Sequence, residues 1–122
     1  MNEITQETTA VTALREALDT KFGQDIVVMD LRGISTIADY FVIATGSSQP
    51  QLAALADTAE ETLLAHGLQL SHREGINTGN WVLLDFGSVI VHLFDKENRQ
   101  FYNLERVWGD AKVQTTTPKT YE

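Results

Sequence analysis

The sequence predicts an α/β (α+β) domain built on a single mixed β-sheet of about five strands that is flanked by helices. Apolar residues recur at helical spacing in two stretches, and five short runs rich in β-branched residues lie among them. The resulting order, α-β-β-α-β-β-β-α, mixes both element types without alternating them strictly. A length of 122 residues suits one hydrophobic core.

The first predicted helix spans residues 8–22 and ends at Gly23, which we expect at the C′ position. Its apolar residues recur at helical offsets and form one stripe. They are Val11, Leu14, Leu18 and Phe22. The second helix is predicted to begin after Ser48, a favourable N-cap, with Pro50 in its first turn and Gly67 as its C′ residue.

The predicted strands are short and apolar. They cover residues 26–31, 40–45, 68–74, 81–86 and 89–94. Gly87 and Ser88 fit the two central positions of a type II′ turn, so we expect the last two strands to form a hairpin.

The C-terminal part is predicted to hold one more helix. Asp95 is placed to cap a helix that runs through Tyr102 and continues as helix or turn through Trp108. The predicted organisation is a flexible N-terminus at 1–10, one domain at 11–111 and a flexible tail at 112–122.

Composition restricts the classes of function. The chain has 9 Lys and Arg against 17 Asp and Glu, a formal net charge of −8, and no cysteine. The absence of thiols excludes disulfides and thiolate metal sites. Negative charge disfavours nucleic-acid backbones and anionic membranes, so a basic protein is the favoured partner and neither DNA nor a membrane is expected. The first residues do not have the pattern of a targeting segment, and we expect a cytoplasmic protein.

A search for catalytic groups finds no constellation. His66, His72 and His92 lack metal-site spacing, and a histidine in an apolar strand, as at position 92, is more typical of a sheet residue than of a base. The Gly46-Ser47 turn is similar to that of nucleotidyltransferases, but no carboxylate pair follows it on a strand, and such turns more often cap a helix. We predict no metal, no cofactor and no catalysis, and keep a nucleotidyltransferase-like enzyme as the alternative.

A binding surface is the competing hypothesis. Trp81 begins a predicted strand and Phe86 ends it beside Gly87, and aromatic residues at strand ends are typical interface anchors. Filling the core is an equally frequent use of such rings. Strict alternation places Trp81 and Phe86 on opposite faces of the sheet, so they share one patch only if Phe86 already belongs to the turn.

Six segments carry motifs that occur together, at this spacing, in one family. They are Asp25-Ile-Val-Val-Met-Asp-Leu-Arg-Gly33, Ser35-Thr-Ile-Ala-Asp-Tyr-Phe-Val-Ile-Ala-Thr-Gly46, Arg73-Glu-Gly75, Trp81-Val-Leu-Leu-Asp-Phe-Gly87, Val89-Ile-Val-His-Leu-Phe94 and Phe101-Tyr-Asn-Leu-Glu-Arg-Val-Trp-Gly-Asp110. Over about residues 11–111 the chain thus resembles the ribosomal silencing factor family (RsfS, also called Iojap). Each motif alone is weak, and together they are specific.

The resemblance implies a nucleotidyltransferase-like topology that lacks the catalytic carboxylates. It implies binding to the large ribosomal subunit through ribosomal protein uL-fourteen, on the surface that faces the small subunit. A protein bound there would block subunit association and repress translation. The resemblance further implies a homodimer when the chain is free, and a role in large-subunit assembly is an additional alternative.

The resemblance also implies partner-binding residues. Trp81 matches the family's tryptophan at the ribosomal-protein contact, and Phe86 matches the apolar residue before the hairpin glycine. Asp85 and Gly87 belong to the same loop.

Two further residues are assigned from charge alone. Asp39 and Glu74 are expected to pair with Lys or Arg of a basic partner. Many relatives have an acidic residue where this chain has Ser88, so Ser88 is not included in the predicted site.

Overall fold

The computed structural model describes residues 6–75, 81–96 and 112–115. Its elements are α1 (Gln6–Thr20), β1 (Gln24–Asp30), β2 (Tyr40–Thr45), α2 (Gln49–Ala65), β3 (His72–Glu74), β4 (Trp81–Asp85), β5 (Val89–Phe94) and β6 (Lys112–Thr115). The helix predicted from Asp95 to Tyr102 lies almost entirely outside the described residues. In the described part of the chain, no helix is both long and apolar enough to cross a membrane.

One mixed sheet organises the fold, in the strand order β3-β4-β5-β2-β1-β6. The central strands β2 and β5 run parallel, and every other neighbouring pair is antiparallel. All residues of both central strands are buried, which explains why they read in the sequence as continuous apolar runs. The predicted class, a mixed sheet flanked by helices, is confirmed, and so are the predicted bounds of these two strands.

Within the described residues the sheet has six strands, one more than the five or so predicted. The additional strand β6 pairs antiparallel with β1, from Asp30 opposite Lys112 to Val27 opposite Thr115. The prediction of a flexible tail at 112–122 is therefore wrong for the four residues of β6. Their mixed polar sequence carries no strand signal of its own, and the hydrogen-bonding groups on the edge of β1 supply the pairing.

The end of α1 differs from the prediction by one residue. Phe22, and not Gly23, adopts the left-handed conformation, with φ of +68°. The N–H of Phe22 donates to the Asp19 carbonyl (3.0 Å) and that of Gly23 to the Leu18 carbonyl (2.8 Å), which is the Schellman pattern. Glycine at position 23 serves close packing, because a Cβ there would lie 3.1 Å from the Leu18 carbonyl oxygen and 3.4 Å from Leu55 Cδ2.

Both predicted caps of α2 are confirmed. The Ser48 hydroxyl accepts a 3.1 Å hydrogen bond from the backbone N–H three residues later. Gly67 has φ of +89°, and the N–H groups of Gly67 and Leu68 donate to carbonyls of the last turn. Because Leu68 takes part in this cap, the strand predicted over 68–74 is shortened to β3.

The sheet is buried on both faces. On one face, which we name the helix face, alternate strand residues pack against α1 and α2. Its largest fully buried side chains include Leu14, Leu18, Ile26, Leu52, Leu55, Leu63, Leu84 and Leu93. The opposite side, which we name the second face, carries another apolar cluster. That cluster contains Val27, Met29, Leu31, Ala38, Phe41, Ile43, Ile90 and Phe94, with Trp81 and Leu83 packed against it as partly buried residues.

Candidate partner-binding surface

Five of the six predicted site residues lie near the two ends of strand β4. Trp81 begins β4 and Asp85 ends it, a separation of four residue steps or about 14 Å. We name these places the Trp81 end and the Asp85 end. The Asp85 end also holds Asp39, Phe86 and Gly87, whereas Glu74 ends β3 and lies in register with Leu83, at the middle of β4.

Trp81 is partly buried and packs against the apolar cluster of the second face. Its position depends on Gly75, which has φ of +84°. A Cβ at residue 75 would lie 2.2 Å from the Trp81 carbonyl oxygen and 2.7 Å from its ring atom Cε3. Glycine is therefore required for the close approach of this loop to the tryptophan.

Strand β3, which precedes Gly75, is connected to α2 by Arg73. The Arg73 guanidinium bonds the Glu60 carboxylate and lies 3.8 Å from a carboxylate oxygen of Asp57. These contacts connect β3 to the helix layer, and through Gly75 they help to fix the Trp81 end.

Phe86 does not lie on the surface. Its side chain is 5% exposed and belongs to the core of the helix face, so Trp81 and Phe86 lie on opposite faces of the sheet. This is the arrangement that strict alternation along the strand predicts. The interpretation of Phe86 as an exposed anchor is therefore contradicted, because its ring fills the core.

The turn after Phe86 places Asp39, Asp85 and Gly87 near one another at the Asp85 end. The predicted two-residue connection is confirmed, and Gly87 has φ of +82°. The N–H of Gly87 donates to Asp85 Oδ1 (2.8 Å), and the Ser88 carbonyl accepts from the N–H of Asp39 (2.8 Å). Asp39, Asp85 and Gly87 thus form one neighbourhood.

The predicted acidic residues differ in how their carboxylates are bound. Glu74 Oε2 lies 2.5 Å from Nε2 of His72. At the Asp85 end, Asp85 accepts the N–H of Gly87, and the Asp39 carboxylate makes no ion pair with any side chain that the structure describes. Asp39 is therefore the acidic side chain of the six with the least local compensation.

Two exposed residues at the Asp85 end were missed by the sequence reasoning. Ile34 is 43% exposed and Ile37 is 66% exposed, in the loop between β1 and β2. Two isoleucines within a short segment that also holds Gly33 and Ser35 are the signal that was available, because turn residues place their neighbours at the surface.

His92 lies on the second face, as its strand position predicts. Its ring centroid is 4.9 Å from that of Phe41 and 6.2 Å from that of Phe94. Burial lowers the pKa of His92 from its ordinary value of 6.5 to about 4. Its Nε2 atom is buried and has no hydrogen-bond partner among the residues that the structure describes.

The Gly46-Ser47 turn, on which the enzyme alternative depends, is filled by a side chain of the protein. Gln51 Oε1 accepts the N–H of Ser47 at 2.6 Å and its hydroxyl at 2.8 Å. Gln51 Nε2 donates to the carbonyls of Lys21 and Phe22, so it joins this turn to the end of α1. A phosphate would have to displace these contacts. Among the residues that the structure describes, no three His, Asp or Glu side chains form a group able to hold a metal ion.

Comparison with known proteins gives consistent matches over most of the chain. A family described as "Ribosomal silencing factor during starvation" matches residues 4–122. Ribosomal silencing factor RsfS of Bacillus subtilis is 44% identical over 97 residues, which are 80% of this chain and 82% of that protein. Chloroplastic protein Iojap of Arabidopsis thaliana is 34% identical over 102 residues, which are 84% of this chain and 42% of that protein.

Solved structures match the fold as well. A crystal structure of a protein from Chromobacterium violaceum superposes with a TM-score of 0.79 at 30% identity, covering 98% of this chain and 97% of that one. A second crystal structure, from Bacillus halodurans, gives a TM-score of 0.72 at 35% identity, covering 85% of this chain and 95% of that one.

Proposed function

Since this chain belongs to the ribosomal silencing factor (RsfS) family, we propose that it binds the large ribosomal subunit through ribosomal protein uL-fourteen and prevents the small subunit from joining. Translation is repressed as a consequence. The observation that carries the proposal is a family match over residues 4–122, combined with a partly exposed tryptophan where the family's contact residue is expected.

The proposed mechanism is steric. A folded chain of this length has a radius of gyration of about 14 Å. A protein of this size on the intersubunit surface keeps the two subunits too far apart for direct contacts between them to form at that place. This action uses neither a cofactor nor a chemical step. The contacts of Ser47 with Gln51 support this proposal over the nucleotidyltransferase alternative, because the turn that would bind a phosphate is already filled.

Charge supports a protein as the docking point. A net charge of −8 repels ribosomal RNA and attracts a basic ribosomal protein, which raises the association rate and disfavours other contacts. We place this action in the cytoplasm. We also propose that the free chain forms a homodimer.

The experiment that tests the proposal replaces Trp81. Loss of a central aromatic contact costs about 2–4 kcal/mol, so Trp81→Ala is expected to bind purified large subunits about 30- to 900-fold more weakly. Co-sedimentation measures the affinity, and light scattering of mixed subunits measures whether subunit joining is restored.

The matched control is Phe22→Ala, which removes an exposed aromatic ring located at the end of α1. It is expected to bind and silence like the unchanged chain. Circular dichroism checks that both variants are folded. Equal binding by folded Trp81→Ala and Phe22→Ala would contradict the assignment of Trp81 as an anchor.

A further inference from the structure

We propose that Ile34 and Ile37 form a second apolar anchor for the basic protein partner, at the Asp85 end of the surface that carries Trp81. This inference rests on the proposed function and extends it. It assigns to two loop residues the exposed apolar contact that Phe86, being buried, does not provide.

The loop that carries the two isoleucines is held in one conformation. The N–H of Leu31 donates to the Asp39 carbonyl (2.8 Å), which closes the base of the loop. Inside it, the N–H of Ile34 donates to the Leu31 carbonyl (3.0 Å) and that of Ile37 to the Ser35 hydroxyl (3.0 Å). Binding therefore orders little additional backbone, which favours affinity.

The loop is attached to the same side of the sheet as Trp81. Leu31 and Ala38, near its two ends, are buried in the second-face cluster against which Trp81 packs. The helices α1 and α2 lie on the opposite side. A partner that covers the second-face side can therefore meet Trp81 at one end of β4 and the isoleucines near the other end, about 14 Å away.

Charge identifies the kind of occupant. Among the described side chains around the isoleucines, Arg32 is already bound to Asp30 through two hydrogen bonds of 2.9 and 2.8 Å. Asp39 and Asp85 therefore remain as excess negative charge beside the apolar residues. A protein surface with an apolar centre and a Lys or Arg rim is complementary to this arrangement.

Two other occupants fit less well. In a second copy of this chain, an identical patch would bring like carboxylates together, and RNA would bring phosphates to the same carboxylates. The proposal is thus a protein contact in which Ile34 and Ile37 are desolvated and Asp39 and Asp85 meet cations.

The experiment compares three folded variants with the unchanged chain by co-sedimentation with purified, salt-washed large subunits. The Ile34→Ser/Ile37→Ser double variant is expected to bind about tenfold more weakly or worse, as for truncated residues inside an interface. The control is Leu64→Ser, which removes a side chain of α2 with similar exposure, 47%, and is expected to bind normally. Asp39→Asn is expected to bind with a smaller salt dependence than the unchanged chain.

Each alternative outcome contradicts the inference in a recognisable way. Normal binding by the double variant together with weak binding by Trp81→Ala would overturn the second anchor and leave the proposed function standing. Failure of the unchanged chain to sediment with large subunits would overturn both. If the double variant binds normally but no longer self-associates in analytical ultracentrifugation, a second copy covers the patch and the inference is wrong.

Discussion

The two faces of the sheet are built from the same alternating strands but differ in composition and closure. The helix face is covered by α1 and α2, and its cluster consists of apolar residues and Tyr40. The second face leaves Trp81 and Leu83 partly exposed, and it holds a buried histidine whose Nε2 has no partner in the described part of the chain. One face is thus a core closed by helices, whereas the other combines a core with a candidate binding surface.

The largest expected effect is the loss of unfolding free energy when a core leucine is truncated, and we expect it to differ between the two faces. Leu55 is fully buried on the helix face, and Leu55→Ala is expected to lower the free energy of unfolding by about 3 kcal/mol, through lost burial and the cavity that remains. Leu83→Ala on the second face is expected to cost about 1 kcal/mol, because this side chain already contacts solvent. Urea denaturation followed by circular dichroism measures both, and equal losses would contradict the comparison.

The next effect concerns the pH dependence of the second face. His92 is paired in register with Ile43 and Leu83, which provide no charge, and burial holds its pKa at about 4 against an ordinary 6.5. Below pH 6.5 the unfolded chain therefore gains a proton that the folded chain does not, and stability falls as the pH decreases toward 4. Between pH 7 and pH 5 this amounts to about 2 kcal/mol.

The control for this prediction is His92→Gln, which removes the titration. The measured quantity is the change in unfolding free energy from pH 7 to pH 5, and the variant is expected to lose about 2 kcal/mol less than the unchanged chain. Comparing the two proteins cancels the contribution of the carboxylates that both share. An identical pH dependence would show that His92 is not buried in its neutral form.

Local patterns predicted most of the fold. The cap at Ser48, the glycine at position 67 and the continuous apolar runs of β2 and β5 each specify structure within a few residues, and all are confirmed. The errors arose where distant parts of the chain decide. β6 depends on pairing with β1. At the end of α1, Gly23 is needed for close approach to the Leu18 carbonyl and to Leu55, which residue spacing alone does not show.

The site was less predictable than the fold, for a related reason. Alternation correctly separates Trp81 from Phe86, but only the folded structure shows that the Phe86 ring lies in the core. Asp39 and Asp85 are distant in sequence and are brought to the same end of the sheet by the turn at Ser88. The isoleucines of the adjoining loop carried only the local signal of the turn residues beside them, and their exposure follows from the hydrogen bonds that close the loop. Partner binding by any of these residues stays a prediction.

The smallest expected effect concerns strain next to the helix face. Phe22 is 78% exposed and holds a left-handed conformation that favours glycine, so it contributes strain and little burial. Phe22→Gly is expected to raise the free energy of unfolding by about 1 kcal/mol, measured by urea denaturation. Gly23→Ala should instead lower it, because its new methyl group would crowd the Leu18 carbonyl. Lower stability of Phe22→Gly would show that the ring makes a stabilising contact, and the helix face would then extend beyond its buried cluster.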